Sequence, residues 1–305
     1  MEWDFERVAG PFDVTEGPVW DGTGVSFTDM LSSRILRYDE STGDCEVRRT
    51  DTGNANGLAL GPDGRLYACE MGGQRVVRYE TDRDGDSDND DDDDDGGVTV
   101  VAEGFGGDRL NSPNDLTFDS AGRLWFTDPF YDTPWIDHGD NLELDHRSVY
   151  RVDPADDRVL TRTTDDTTNP NGLLVSLNDE TVYVAQSRHG EGEARELRAY
   201  PIEGDGLGSY GVLHDFGPHR GIDGMCLTEE GTIVATAGAE ESGPGPVLYV
   251  FTPTGRVLKT HSVPDPRSTN CCFGGADLRT IYLTGYDGCP YRAETDRTGY
   301  LDAPH

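Results

Sequence analysis

The stretch Arg109-Leu-Asn-Ser-Pro-Asn-Asp-Leu-Thr-Phe-Asp-Ser-Ala-Gly-Arg-Leu-Trp-Phe-Thr-Asp128 contains one complete copy of a pattern that recurs along the chain. An amide, Asn114, leads into a short apolar strand, a tight Gly turn and a second apolar strand. The same order returns at Glu16-Gly-Pro-Val-Trp, Asn56-Gly-Leu-Ala-Leu, Asn171-Gly-Leu-Leu-Val, Asp223-Gly-Met-Cys-Leu and Asn270-Cys-Cys-Phe, each followed by its own turn and a second β-rich run. The chain reads as six copies of one unit.

Successive leading residues stand 40 to 58 residues apart, and the stretch after Asn270 together with the stretch up to Glu16 supplies a further 51. Repeats of this length with several strands each belong to β-propellers, whose four-stranded blades surround a central channel. The expectation is an all-β, six-bladed propeller forming a single domain over residues 1–305. Within a blade, Leu-Tyr or Leu-Trp runs give the second strand, and Arg75-Val-Val-Arg-Tyr or Ser148-Val-Tyr-Arg-Val the third. A fourth follows, as at Val98-Thr-Val-Val-Ala. The last unit has only three strands of its own, so Trp3–Ala9 should supply its outer strand and close the ring.

Composition agrees. Of 305 residues, 39 are Gly and 17 Pro, spread between short apolar runs, and no long 3.6-residue apolar stripe is present. Asp and Glu number 59 against 25 Lys and Arg, a net charge of −34. A field of that sign repels nucleic-acid phosphates and anionic lipid. Aromatics at interior strand positions (Trp20, Trp125, Tyr183, Tyr282) argue for a folded chain with a heavily solvated surface rather than a disordered acidic one. A salt-rich cytoplasm is the natural, halophilic setting for it, since screening there relieves self-repulsion. The start, Met-Glu-Trp-Asp-Phe-Glu, lacks the basic and apolar regions of a signal peptide. No apolar run approaches a membrane span. The six cysteines show no C-x-x-C spacing and read as buried small residues. An acidic loop insertion at 82–97, between the third and fourth strands of the second blade, begins like a calcium loop but has no Glu at the twelfth position, and reads as a solvated insertion.

In a propeller the first strand of each blade is innermost, so Glu16, Asn56, Asn114, Asn171, Asp223 and Asn270 converge on one channel mouth. Asn, Asp and Gly also suit turns with left-handed backbone, which would explain five of the six without any ligand. Glu is a poor turn residue, and its pairing with Asp223 and the amides points to a hard divalent cation held by oxygen ligands. No His or Cys leads a unit, which disfavours structural zinc. Signatures of serine hydrolases, zincins, P-loops and dinucleotide folds are absent, and His138, His146, His189, His214, His219 and His261 have no partner at a diagnostic spacing. His219 stands out only for lying just before Asp223.

The chain resembles the regucalcin/gluconolactonase family of six-bladed propellers, closest to the microbial sugar-lactone lactonases. The resemblance rests on Glu16-Gly-Pro-Val-Trp, Asn111-Ser-Pro-Asn-Asp, Phe126-Thr-Asp-Pro, Asn169-Pro-Asn-Gly-Leu, Asp223-Gly-Met and Asn270-Cys-Cys-Phe-Gly-Gly-Ala-Asp-Leu-Arg-Thr-Ile-Tyr-Leu-Thr, in family order along nearly the full length. It implies one divalent ion, Ca²⁺ before Mn²⁺, Mg²⁺, Zn²⁺ or Fe²⁺, on the equivalents of Glu16, Asn171 and Asp223. Asn114 would be a further ligand or a substrate contact. It implies hydrolysis of a small sugar lactone. Gly221-Ile-Asp-Gly in place of the more usual Pro-Asp-Gly, and Phe130 where a second Pro often follows, bear on loop shape and substrate choice.

The chemistry suits these residues, because one metal can both activate water and polarise the lactone carbonyl. Asp223 is the expected catalytic proton acceptor. Arg109, Asn111 and Asn114 are the expected substrate-binding residues, although Arg109 could equally be a surface cation balancing Asp108. Two alternatives keep the fold: a metal-dependent esterase or phosphotriesterase, and a non-catalytic metal-binding scaffold.

With this charge, unfolding temperature and activity are expected to fall as KCl is lowered from 1 M to 0.1 M, where the screening length grows from about 3 Å to about 10 Å. Equal unfolding temperatures at the two concentrations would overturn the expectation.

Overall fold

Six antiparallel sheets are arranged in a ring, and each begins with the apolar run that follows a leading polar residue. The computed structural model describes residues 1–80, 97–133, 142–153, 159–187, 190 and 192–301. Blade 1 consists of Thr15–Trp20, Gly24–Asp29, Arg34–Asp39 and Cys45–Thr50, and blade 2 of Ala55–Leu60, Leu66–Glu70, Arg75–Tyr79 and Val98–Ala102. Blade 3 follows with Leu116–Phe118, Leu124–Asp128, Ser148–Asp153 and Val159–Arg162. Blade 4 has Pro170–Val175, Thr181–Ser187, Arg195–Glu203 and Gly211–Asp215, and blade 5 has Ile222–Leu227, Ile233–Ala239, Ser242–Phe251 and Val257–Ser262. Blade 6 adds Ser268–Gly274, Thr280–Gly285 and Tyr291–Glu294. The first strands of consecutive blades touch one another around the whole ring, including blade 6 against blade 1.

Side chains alternate across each strand, so a middle strand feeds the core on both sides. In Thr181–Ser187, Val182 and Val184 pack toward blade 3 with Trp125 and Val149, whereas Tyr183 and Ala185 pack toward blade 5 with Ile222 and Met225. Six apolar clusters result, one at each junction between neighbouring blades. The cluster at the closing junction joins Trp20, Phe27 and Tyr38 of blade 1 to Tyr282 of blade 6.

The fourth strand of blade 6 does come from the start of the chain, but it is shorter than expected. Only Glu6–Arg7 pairs, opposite Arg292 and Tyr291. The reason lies in Trp3, which leaves the sheet to bury its ring. It stacks 3.9 Å from His261 of blade 5 and donates its Nε1–H to Asp296 Oδ1 at 2.9 Å. A short hairpin between blades 2 and 3, pairing Gly104–Phe105 with Asp108–Arg109, was not legible in the repeat. The acidic insertion read at 82–97 lies outside the described residues except for Gly97, as do His138 and His189; its flanking strands pair, Val98 opposite Tyr79. All six cysteines are free thiols. No helix among the described residues is long and apolar enough to cross a membrane.

Replacing Trp3 by Ala removes a ring that is 2% exposed. A loss of about 3 kcal/mol of stability is expected in denaturant unfolding. A loss below about 0.5 kcal/mol, the range of surface substitutions, would show that the clasp does not hold the ring shut.

Candidate metal centre and active site

The leading residues sit where the inner strand departs from its regular pairing. In five blades the ladder between first and second strands is interrupted at the same place, between Glu16 and Val19, Ala55 and Leu58, Pro170 and Leu173, Ile222 and Met225, and Ser268 and Cys271. Blade 3 begins its regular pairing only at Leu116, with Asn114 N bonded to Thr127 O ahead of it. Such a break re-aims a side chain out of the pleat. Here five of the six leading polar residues, all but Asn270, line the channel cavity.

Gly57, Gly172 and Gly224, each directly after a leading residue, answer a different need from a turn, whereas Gly17 after Glu16 does have a positive φ, of 50°. A Cβ on Gly57 would lie 2.7 Å from Asn114 O, one on Gly172 2.4 Å from Asp223 O, and one on Gly224 2.0 Å from Asn270 Cγ. These three do not have positive φ, and neither do Asn56, Asn114, Asn171, Asp223 and Asn270. Left-handed turns therefore do not account for the pattern. The neighbouring blade does: its backbone occupies the side-chain space at Gly57 and Gly172, and the Asn270 side chain occupies it at Gly224.

Glu16, Asn114, Asn171 and Asp223 line one cavity of about 510 Å³, together with Asn56. Glu16 is buried, its Oε2 accepting the Gly17 N–H and, at 3.3 Å, Asn270 Nδ2. Asn270 itself thus supports Glu16 rather than lining the cavity. Burial first, then the nearby charges of Asp223 and Asp115, push the Glu16 carboxyl well above the usual carboxylate range. Asn171 Nδ2 donates to the Tyr131 hydroxyl at 2.8 Å, which leaves Oδ1 as that amide's oxygen donor. Asp223 accepts through Oδ2 from Arg220 Nη2, and Arg220 is fixed from behind by Nη1 bonding to Gly238 O at 3.0 Å.

Two expected substrate contacts lie elsewhere. Arg109 is exposed on the short hairpin, where its backbone N–H meets Glu143 Oε2 at 2.7 Å, and its side chain is not part of the cavity wall. Asn111 is buried, and its Nδ2 is used by Asp128 Oδ2 at 3.1 Å and His146 O at 2.8 Å. Asp128 also accepts the Asn111 and Ser112 N–H groups, at 2.9 and 2.8 Å, so it anchors the turn that presents Asn114. Burial raises the Asp128 carboxyl to about 7 despite those donors. His219 is exposed, with Nδ1 3.2 Å from Ser242 Oγ.

Arg147, Arg220, Arg267, Tyr131 and Tyr286 line the cavity without having been read from the repeat. A signal did exist for some of them. The end of each second strand lies at the same channel mouth as the start of the first, so the residues just beyond it reach inward. Met30, Met71 and Tyr286 follow Asp29, Glu70 and Gly285 directly, and Ser187 ends its strand. Among the described residues no three His, Cys, Asp or Glu side chains cluster as a metal site; the cavity wall combines the carboxylates of Glu16 and Asp223, and the exposed Asp132, with amide side chains.

Comparison with known proteins identifies the family and the fold. Residues 14–286 match the family described as SMP-30/Gluconolactonase/LRE-like region. A gluconolactonase of Zymomonas mobilis is 28% identical over 88% of this chain and 75% of its own, and regucalcin of Danio rerio is 26% identical over 89% and 82%. The solved structure of a gluconolactonase from Xanthomonas campestris superposes with a TM-score of 0.80 at 28% identity, covering 96% of this chain and 89% of that one. With the family's model matched over most of this chain, the chain belongs to the SMP-30/gluconolactonase/LRE-like family.

Proposed function

We propose that the protein opens sugar lactones, converting an aldono-1,4- or 1,5-lactone such as gluconolactone or a pentonolactone to the aldonic acid, with one divalent cation bound in the channel. The observation that carries this reading is the delivery of Glu16, Asn114, Asn171 and Asp223, from four different blades, to one cavity of about 510 Å³. The fit to a cation is chemical. Burial and the nearby charge of Asp223 disfavour the ionised form of Glu16, and a hard cation held among these carboxylates and the neutral amide oxygens relieves that repulsion. Ca²⁺ is the first choice for such a set, with Mn²⁺, Mg²⁺, Zn²⁺ and Fe²⁺ behind it. When bound, the cation supplies a Lewis acid for the carbonyl and a lowered pKa for water.

The chain's own residues do the rest. Among the described residues no Cys lines the cavity and no His is there to activate the hydroxyls of Thr133, Ser187 or Thr269, and this reading takes water as the attacking group. Arg220 holds Oδ2 of Asp223 and thereby fixes the plane of the carboxylate, and the other oxygen is assigned to accept the proton of the attacking water. Asn270 and the Gly17 N–H keep Glu16 oriented. Arg147, Arg267 and the hydroxyls of Tyr131 and Tyr286 offer hydrogen bonds to sugar hydroxyls, and Val14, Met30, Met71 and Phe130 form an apolar wall that limits bulk water. The gluconolactonase relatives support the substrate class, and the acidic composition supports a cytoplasmic setting.

Acid release from gluconolactone and pentonolactones, corrected for the spontaneous rate, tests the proposal. Chelation should abolish the acceleration and added cation restore it. Asp223→Ala and Glu16→Gln should each lower kcat/KM by about 10²-fold or more. Full activity in Asp223→Ala, or no acceleration on any aldonolactone, would overturn it.

A further inference from the structure

Asn56 leads blade 2 and stands in the ring between Glu16 and Asn114, on the cavity wall. It is 5% exposed, and its Oδ1 is buried without a hydrogen-bond partner. The rest of the residue is accounted for. Its backbone oxygen accepts from Thr28 Oγ1 at 3.1 Å, and its Nδ2 lies 2.9 Å from Met71 Sδ. That contact decides which end of the amide is which. A thioether sulfur accepts weakly and donates nothing, so the nitrogen faces it and the oxygen points away.

An amide oxygen in this position opposes folding unless something binds it. Its surroundings select what that is. The cavity is also lined by the carboxylates of Glu16 and Asp223, with Arg220 committed to Asp223, so an unpartnered oxygen in the blade beside Glu16 suits a cation. Ca²⁺ takes six to eight oxygens, more than Glu16, Asn114, Asn171 and Asp223 supply when each gives one.

We propose that Asn56 Oδ1 is a further ligand of the channel cation, completing a run of donors over five successive blades; this rests on the cation-dependent reading above. A fifth protein donor favours a large ion of high coordination number. Mg²⁺, which keeps several waters and demands a near-octahedral shell, gains less from it.

The test measures cation binding without lactone. The full-length chain, stripped with chelator, is titrated with Ca²⁺ and with Mg²⁺ by calorimetry, and its unfolding temperature is recorded with and without each ion. In Asn56→Leu, Ca²⁺ affinity is expected to fall about tenfold or more, with Mg²⁺ affinity changing less. Without cation the variant should unfold at the same temperature as wild type or higher, because the unsatisfied oxygen is gone. A purely structural role for the amide would lower it. Asn56→Asp retains an oxygen and should keep Ca²⁺ binding, which leaves the proposal testable if the Leu variant does not fold; loss of Ca²⁺ binding in the Asp variant would count against it. Unchanged Ca²⁺ affinity in Asn56→Leu overturns the proposal. A raised KM for lactone with unchanged cation affinity also overturns it, by assigning the oxygen to substrate. A wild-type chain that takes up no divalent cation overturns both this and the cation-dependent reading, whereas equal uptake by wild type and variant overturns this inference alone.

Discussion

Six inner strands crowd so closely around the channel that the peptide of one blade fills the space a side chain of its neighbour would need. Gly57, Gly172 and Gly224 each face such a peptide or side chain at distances no Cβ could tolerate. Backbone that close must have its polar groups matched. The match is made across blades, by the Gly57 N–H bonding Asn114 O at 2.8 Å and by hydroxyls, Thr236 Oγ1 to Thr269 O and Thr269 Oγ1 to Thr15 O, both at 2.7 Å. The ladder within five of the blades gives way at the same height, and in blade 3 it starts only after Asn114, which frees leading side chains to point inward. Packing of the ring and construction of the site are therefore one constraint.

The fold was legible because two periodicities lie on top of one another. The repeat of a polar residue, a strand, a turn and a strand set the number of blades, and the two-residue alternation within strands such as Thr181–Ser187 supplied an apolar face to each neighbour. The expected outer strand of blade 6 was longer than the real one because Trp3, an aromatic in a plausible strand pattern, gains more from burial against His261 than from lying in the sheet. Alternation alone does not show which neighbour a terminal residue will find.

Part of the cavity wall was legible for the same reason. Residues that lead each unit are placed by the repeat, so Glu16, Asn114, Asn171 and Asp223 could be brought to one place from sequence alone. Arg109 and Asn111 could not, because neither occupies a repeat-equivalent position. Asn111 went to the carboxylate of Asp128, a partner seventeen residues away that no spacing marks, and Arg109 to a hairpin peculiar to one blade junction. Arg147, Arg220 and Arg267 escaped for a similar reason: in an acidic chain an arginine is first read as a surface counter-charge, and only the folded ring shows these three turned inward.

The pairing of Glu6–Arg7 with Tyr291 and Arg292 joins residues that are about as far apart in sequence as this chain allows. On a ribosome adding about 5–20 residues per second, the first strand waits roughly a quarter of a minute to a minute for its partner to be made. During that interval five blades can form in order while the seam stays open, with Trp20, Phe27 and Tyr38 on one side facing no blade 6. The first strand of that same blade, Ser268–Gly274, is the one that brings Asn270 to Glu16. A nascent chain thus acquires a full channel mouth only once blade 6 has been made, and any ion or substrate that needs both sides of the seam meets its site no earlier.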